Sequence, residues 1–150
     1  MASFQFRLAT LLRLREAWRN ERRTHLAEAQ RAEQLILDRL AAIDGELSAA
    51  RRQYVDAARA RCVNVDLLTD LARYEMILKA QRQSADQQRQ AVVAEVQKRR
   101  AALVVADRDV QVLEKLRETQ QQRHGEEEAL REFKRLDELA VLRHEPKEVP

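Results

Sequence analysis

Few residues of this 150-residue chain have the chemistry of a catalytic or metal site. The chain has three histidines and a single cysteine, Cys62. Zinc ligands recur at short, regular spacings, and His25, His124 and His144 share no such spacing with one another or with Cys62. The acidic run 126–128 is typical of a solvated face, and no glycine-rich phosphate loop is present. The sequence therefore predicts a protein that is not an enzyme and that uses no metal or cofactor.

Basic side chains offer a second kind of chemistry, the binding of nucleic acid. Lys and Arg number 28 against 25 Asp and Glu, which gives a net charge of only +3. The acids are interleaved with the bases, so no basic tail or stripe forms. Binding to nucleic acid, whose affinity would fall steeply with salt, is therefore the weakest of three functional hypotheses, and we predict no nucleic-acid partner. Its candidate residues are Arg51, Arg52, Lys98, Arg99, Arg100 and Arg108.

Composition indicates which elements position these side chains. Charged residues make up 35% of the chain, whereas glycine and proline number two each, and both prolines lie in the last five positions. Such a composition is typical of long helices and coiled coils. Intrinsic disorder is the alternative for so polar a chain, but the periodic apolar residues and the scarcity of helix breakers oppose it. No stretch is apolar enough to cross a membrane, and the N-terminus lacks the order of a signal peptide.

Apolar residues that alternate four and three apart predict a seam between paired helices. One such series is followed, out of phase, by a second, which shifts once near 92–96, where a stutter would unwind the supercoil. Upstream of the first, Leu8, Leu11, Leu14 and Trp18 begin a similar stripe. The first series is Ile36, Leu40, Ile43, Leu47, Ala50, Tyr54 and Ala57, and the second is Leu67, Leu71, Tyr74, Leu78, Gln81, Ala85, Gln88 and Val92, resuming with Leu103, Ala106, Val110 and Leu113.

The phase break falls at 62–66, where Asn64 or Asp66 could cap a new helix. We therefore predict an all-α fold, an antiparallel two-helix coiled-coil hairpin in a single domain. The first helix is expected at about 3–61, the turn at 62–65, the longer second helix at 66–143 and a disordered tail at 144–150. The alternative is one unbroken helix paired in parallel with a second chain. Residues whose numbers add to about 128 should face each other, which places Phe4 near His124.

Three regions carry more apolar surface than one seam needs, and such surplus marks binding surfaces. One follows the turn, where the residues from 67 to 80 cover more than one helix face; tighter packing or dimerisation would also account for it. Another is the N-terminal segment, with Phe4, Phe6 and Trp18. A third is the part of the second helix beyond about Glu126, which would have no partner in its own chain.

Three stretches show a family resemblance: "FQFRLATLLRLRE" at the start, "LLTDLARYEMILKAQ" in the middle and "EFKRLDELA" near the end. In order and spacing they resemble the flagellar export protein FliJ. The resemblance implies an antiparallel coiled coil similar to the gamma subunit of rotary ATPases. It implies a stalk that enters the hexameric export ATPase ring, promotes ring assembly and contacts the export gate and export chaperones. It also implies a cytoplasmic location, at the inner face of the membrane beneath the flagellum, held there through partners only.

The resemblance also assigns binding residues. The gate-contacting stripe would be Tyr74, Leu78, Gln81 and Ala85, which conflicts with the seam prediction for the same residues unless Leu68, Ala72 and Met76 supply the seam instead. The end that enters the ring would present Phe4, Phe6, Leu8, Leu11, Leu130, Phe133, Leu136, Asp137 and Leu139. A virulence-type injectisome stalk shares this architecture, and a free-standing coiled-coil scaffold is the remaining hypothesis.

Overall fold

The structure is a computed structural model that describes residues 4–143. It contains two helices, α1 at Ala9–Ala58 and α2 at Val65–Arg143. The predicted fold class is confirmed: the chain is an all-α helical hairpin whose second helix is the longer. α1 begins at Ala9 rather than near residue 3, and it ends at Ala58 rather than near residue 61. The predicted tail at 144–150 lies outside the described residues. Neither helix has an apolar stretch of the length that a membrane span requires.

The chain contains two compact units. One consists of Met1–Arg19 with Val105–Pro150, described over 4–19 and 105–143, and the other of Asn20–Val104. In the unit 20–104, Arg51 pairs with Glu75 at 3.1 Å and Arg82 with Asp44 at 2.6 Å. Both pairs of residue numbers add to 126, so the two helices of this unit run antiparallel.

The unit that holds the N-terminus has its own cross-helix contacts. Arg15 pairs with Asp109 at 3.0 Å. The ring centroids of Phe4 and His124 lie 5.8 Å apart in an edge-to-face arrangement. The predicted neighbourhood of Phe4 and His124 is therefore confirmed, and the helices of this unit also run antiparallel.

The predicted seam of α1 is buried or half-buried at every position except Tyr54, from Ile36 to Ala57. Upstream the prediction was wrong, because Leu11, Leu14 and Trp18 are exposed and Leu12 is buried in their place. The same heptad extended backwards passes through Leu12 and Ala29, with arginine at several positions between them. The long aliphatic stems of arginine can line a seam while the guanidinium reaches solvent. Because arginine rather than an apolar residue occupies these seam positions, the spacing of apolar residues alone indicated the wrong phase.

The seam of α2 follows one heptad phase with no stutter. It alternates three and four apart from Leu68 to Leu113, and every member except Arg82 is buried or half-buried. Eight members of the predicted second series belong to this seam, including the four from Leu103 to Leu113, whereas Leu67, Tyr74, Gln81 and Gln88 lie one position off it and are exposed. The predicted shift near 92–96 was an artefact of that one-residue error. The observed members are Leu68, Leu71, Glu75, Leu78, Arg82, Ala85, Arg89, Val92, Val96, Arg99, Leu103, Ala106, Val110 and Leu113.

Asn64, the last residue of the turn at 59–64, caps the N-terminus of α2. The Asn64 side-chain oxygen accepts hydrogen bonds from the backbone N–H groups of Asp66 at 3.0 Å and Leu67 at 3.2 Å. These N–H groups begin α2 and would otherwise have no partner within the helix. No described residue has a positive φ, so the turn needs no glycine. The two glycines lie inside helices instead, and a Cβ at either would meet no atom within 4 Å.

We expect Asn64→Ala to lower the free energy of unfolding by about 1 kcal/mol, because α2 loses its N-terminal cap. Urea denaturation followed by circular dichroism measures this loss. The matched control is Asn20→Ala, at an exposed position inside α1, where alanine has the higher helix propensity. Equal destabilisation by both variants would contradict the capping role.

Candidate partner-binding surfaces

The four residues of the predicted gate-contacting stripe do not share one exposed surface. Leu78 and Ala85 are only 2% and 1% exposed and belong to a core cluster with Ile43, Leu47 and Ala50. Tyr74 and Gln81 lie on the outside of the hairpin. Leu78 and Ala85 therefore belong to the seam. Contact of the stripe with an export gate remains a prediction, for which Tyr74 and Gln81 are the accessible residues.

The alternative seam that would have freed Leu78 is wrong. Leu68 is half-buried, as that alternative requires, but Ala72 and Met76 are exposed. Seam positions on α2 fall at Leu71 and Glu75 instead. Glu75 lies at such a position because its carboxylate pairs with Arg51 at 3.1 Å and with Lys79 at 2.8 Å.

Hydrogen bonds and charges change the titration of two groups near the turn. The hydrogen bond that Tyr74 donates to Glu46, 3.0 Å long, raises the pKa of the Tyr74 hydroxyl. Lys79 and then Arg51 lower the pKa of Glu75. A carboxyl with a lowered pKa stabilises the fold above its ordinary titration range, and that contribution is lost as the pH falls through the lowered value.

Large apolar side chains remain exposed around the turn. Six lie on or beside the start of α2, and Met76 is 70% exposed. Tighter packing of this end does not account for the apolar surplus, because the side chains are exposed rather than buried. We call this set the turn patch: Val63, Val65, Leu67, Tyr74, Met76 and Ile77.

The predicted ring-end residues fall into two groups, one near each terminus of the chain. Phe4 and Phe6 are half-buried and line a shallow cleft with Leu12 and Arg117. Phe4 also packs on His124, so its apolar surface is partly used within the chain. Leu8 and Leu11 are just over one-third exposed.

The C-terminal group of ring-end residues is far more exposed. We call residues 125–143 the overhang, because α2 continues there beyond the contact of Phe4 with His124. Phe133 is 69% exposed. Within the part of the overhang whose side chains are described, only Glu128 is half-buried and all others are exposed. The large apolar ones are Leu130, Phe133, Leu136, Leu139, Val141 and Leu142.

One further apolar surface was only partly recognised in the sequence, which predicted a binding surface on the N-terminal segment with Trp18 but not its continuation on α2. The Arg15 guanidinium lies 5.0 Å from the centroid of the Trp18 ring and also pairs with Asp109. Asp109 is spaced three, four and seven residues from Val112, Val105 and Leu116, so all four share a stripe of α2. Arg15 thus links an exposed stripe of α1 to an exposed stripe of α2. We call their apolar members the side face: Leu11, Leu14, Trp18, Val105, Val112 and Leu116.

The candidate nucleic-acid residues are partly engaged with protein groups. Arg99 pairs with Glu95 at 2.8 Å and donates to the backbone oxygen of His25 at 2.6 Å. Arg51 is held by Glu75. Glu28 and Glu95 lie beside Lys98 in the same cleft. The interleaved acids are therefore neighbours in space as well as in sequence.

The described side chains with metal-ligand chemistry form no metal site. Cys62 is an exposed free thiol in the turn. Between residues 4 and 143, no three His, Cys, Asp or Glu side chains converge in a way that could hold a metal ion. His144 lies outside this range.

These features define the class of the protein, an all-α helical hairpin with a heptad seam and exposed apolar residues near its turn and on its overhang. A sequence model of the family FliJ, described as flagellar FliJ protein, matches residues 4–148. The chain therefore belongs to the FliJ family, and it is a component of the flagellar protein export apparatus. Searches of curated proteins and of solved structures returned no match.

Proposed function

We propose that this protein is a non-enzymatic stalk of the flagellar export ATPase. The overhang and the N-terminal segment enter the pore of the hexameric ring and promote its assembly. The observation that carries the proposal is the overhang of a chain that matches the FliJ family over 4–148. Its apolar side chains have no cover from the described residues of their own chain, and such a surface favours burial against another protein.

At the turn, the protein contacts the cytoplasmic domain of the export gate. Tyr74 and Gln81 supply accessible members of the family stripe, and Met76 and Ile77 of the turn patch add apolar area beside them. Leu78 and Ala85 act indirectly, because they hold α2 against α1. Aromatic side chains such as Tyr74 contribute strongly to protein interfaces.

Export chaperones are further partners in this proposal, and nucleic acid is not a partner. The protein acts in the cytoplasm at the inner face of the membrane beneath the flagellum, and it reaches the membrane only through the gate. Charged residues of the overhang, including Lys134 and Asp137, guide docking into the ring more than they add affinity.

We expect the protein to raise both the oligomerisation and the ATP turnover of the cognate export ATPase at micromolar concentration. Phe133→Ser should weaken this effect about tenfold in the concentration required, because truncation of a central apolar side chain at an interface costs about 1–2 kcal/mol. Light scattering and a steady-state ATPase assay measure the two effects.

The matched control is Met76→Ser, since Met76 is 70% exposed and Phe133 69% exposed. Met76→Ser should stimulate the ATPase as the unchanged protein does. No stimulation by the unchanged protein would overturn the stalk proposal and favour a free-standing scaffold. Equal losses in the two variants would remove the overhang from the interface.

A further inference from the structure

The unit formed by Met1–Arg19 and Val105–Pro150 has two exposed apolar surfaces, the side face and the overhang. The side face flanks the seam on one side of the hairpin, where Arg15 contacts both Trp18 and Asp109. The overhang follows directly along α2. Neither surface can cover the other within one chain, because α2 runs unbroken through Gly125 to Arg143 and carries the overhang away from the side face.

The two surfaces have opposite charge balances. The overhang, residues 125–143, has six acidic and four basic side chains. The paired part of the same unit, residues 4–19 and 105–124, has eight basic and five acidic side chains. An acidic helix with an apolar stripe therefore suits the basic surroundings of the side face, and opposite charges favour the encounter.

The overhang is long enough to reach the side face of a second copy. It has 19 residues, and the part of α2 that precedes it in the same unit, 105–124, has 20 and carries the side-face residues Val105, Val112 and Leu116 in its first 12 positions. Because the overhang follows residue 124 and the side face precedes it, a two-fold axis near that residue brings each overhang onto the other copy's side face. Such a contact is reciprocal and closed, as in most homodimers.

We propose that two copies of this protein associate through their terminal units, with the overhang of each packed on the side face of the other. Their α2 helices cross antiparallel near residue 124. Residues whose numbers add to about 249 then face each other across the axis. Leu116 lies opposite Phe133, and Arg123 lies opposite Glu126. This dimer hides the overhang that the stalk proposal assigns to the ATPase ring, so the ATPase and the second copy compete for it.

The first test is sedimentation equilibrium of the full-length protein under reducing conditions, which keep Cys62 a thiol. We expect dimer at concentrations on the order of 100 μM, with affinity that falls as salt screens the attraction. Val112→Glu adds a like charge opposite the acidic overhang and should weaken the dimer at least tenfold. Leu35→Glu, at a similarly exposed position in the other unit and outside the named surfaces, should leave the affinity unchanged.

A second test checks the register by cross-linking. Arg123→Cys and Glu126→Cys are made separately in a Cys62→Ser background, mixed and oxidised. The mixed disulfide should exceed both symmetric ones. A protein that stays monomeric at all concentrations, or equal losses with Val112→Glu and Leu35→Glu, would overturn the proposal. So would a preference for symmetric disulfides. The ATPase is absent from both tests, so their failure leaves the stalk proposal standing, and failure of ATPase stimulation leaves the dimer standing.

Discussion

Leu78→Ala is expected to lower the free energy of unfolding by about 2–3 kcal/mol. The Leu78 side chain is 2% exposed and packs in the cluster formed with Ile43, Leu47, Ala50 and Ala85. Truncation removes buried apolar area and leaves a cavity in the seam. This expected loss is at the lower end of the range for buried Leu→Ala substitutions, because a two-helix seam borders solvent and can partly close around the cavity. Urea unfolding monitored by circular dichroism measures the change.

Tyr74→Ala is the matched variant one helical turn away. Tyr74 is 43% exposed, and its hydroxyl bonds only the exposed Glu46 among the described contacts. The loss of stability should stay near 0.5 kcal/mol or below, as at other exposed positions. Binding to the purified cytoplasmic domain of the export gate should fall in Tyr74→Ala while the helicity is kept. A Tyr74→Ala protein as unstable as Leu78→Ala, or one that binds the gate unchanged, would contradict the surface role of Tyr74.

Val110→Asp should lower the free energy of unfolding by about 3 kcal/mol or more. Val110 is 0% exposed, on the seam of the unit that carries the N-terminus and the overhang. A carboxylate placed there loses its hydration, and burial of a charge is among the most destabilising changes in a protein interior. The expected result is a large decrease in the urea midpoint, accompanied by loss of the Phe4 contact with His124.

Val104→Asp separates burial from helix propensity. The substitution is the same, but Val104 is 52% exposed and lies outside the α2 seam. Valine and aspartate have similar helix propensities, so this variant should change stability by about 0.5 kcal/mol or less. If both aspartates destabilise the protein equally, Val110 is not the buried residue that the structure shows.

The sequence predicts the α1 seam well where apolar residues occupy it without interruption. From Ile36 to Ala57 every predicted position except Tyr54 is buried or half-buried, and the cap at Asn64 and the neighbourhood of Phe4 and His124 were also predicted correctly. The prediction fails where charged residues share the seam. On α2, Glu75, Arg82 and Arg89 occupy seam positions, and the adjacent apolar or amide residues Tyr74, Gln81 and Gln88 gave a false phase one residue away.

Of the candidate surfaces, the overhang could be predicted from the sequence and the side face could not. The exposed apolar stripe of the overhang follows from sequence spacing and from the unequal lengths of the helices. The side face does not, because it is composed of stripes on two helices that are about 90 residues apart in the chain. Only the contacts of Arg15 with Trp18 and Asp109 show that these stripes are neighbours.

By itself, the sequence determined the two helices, the place where the chain turns and the family to which the chain belongs, because these depend on helix propensity, capping and the order of local motifs. Only the tertiary structure decided which of two adjacent residues enters the seam. Glu75 rather than Tyr74, and Arg82 rather than Gln81, take seam positions because the partner helix α1 provides an ion pair for each, from Arg51 and Asp44 respectively. The spacing of apolar residues in α2 carries no information about the charged residues of α1 that pair with it.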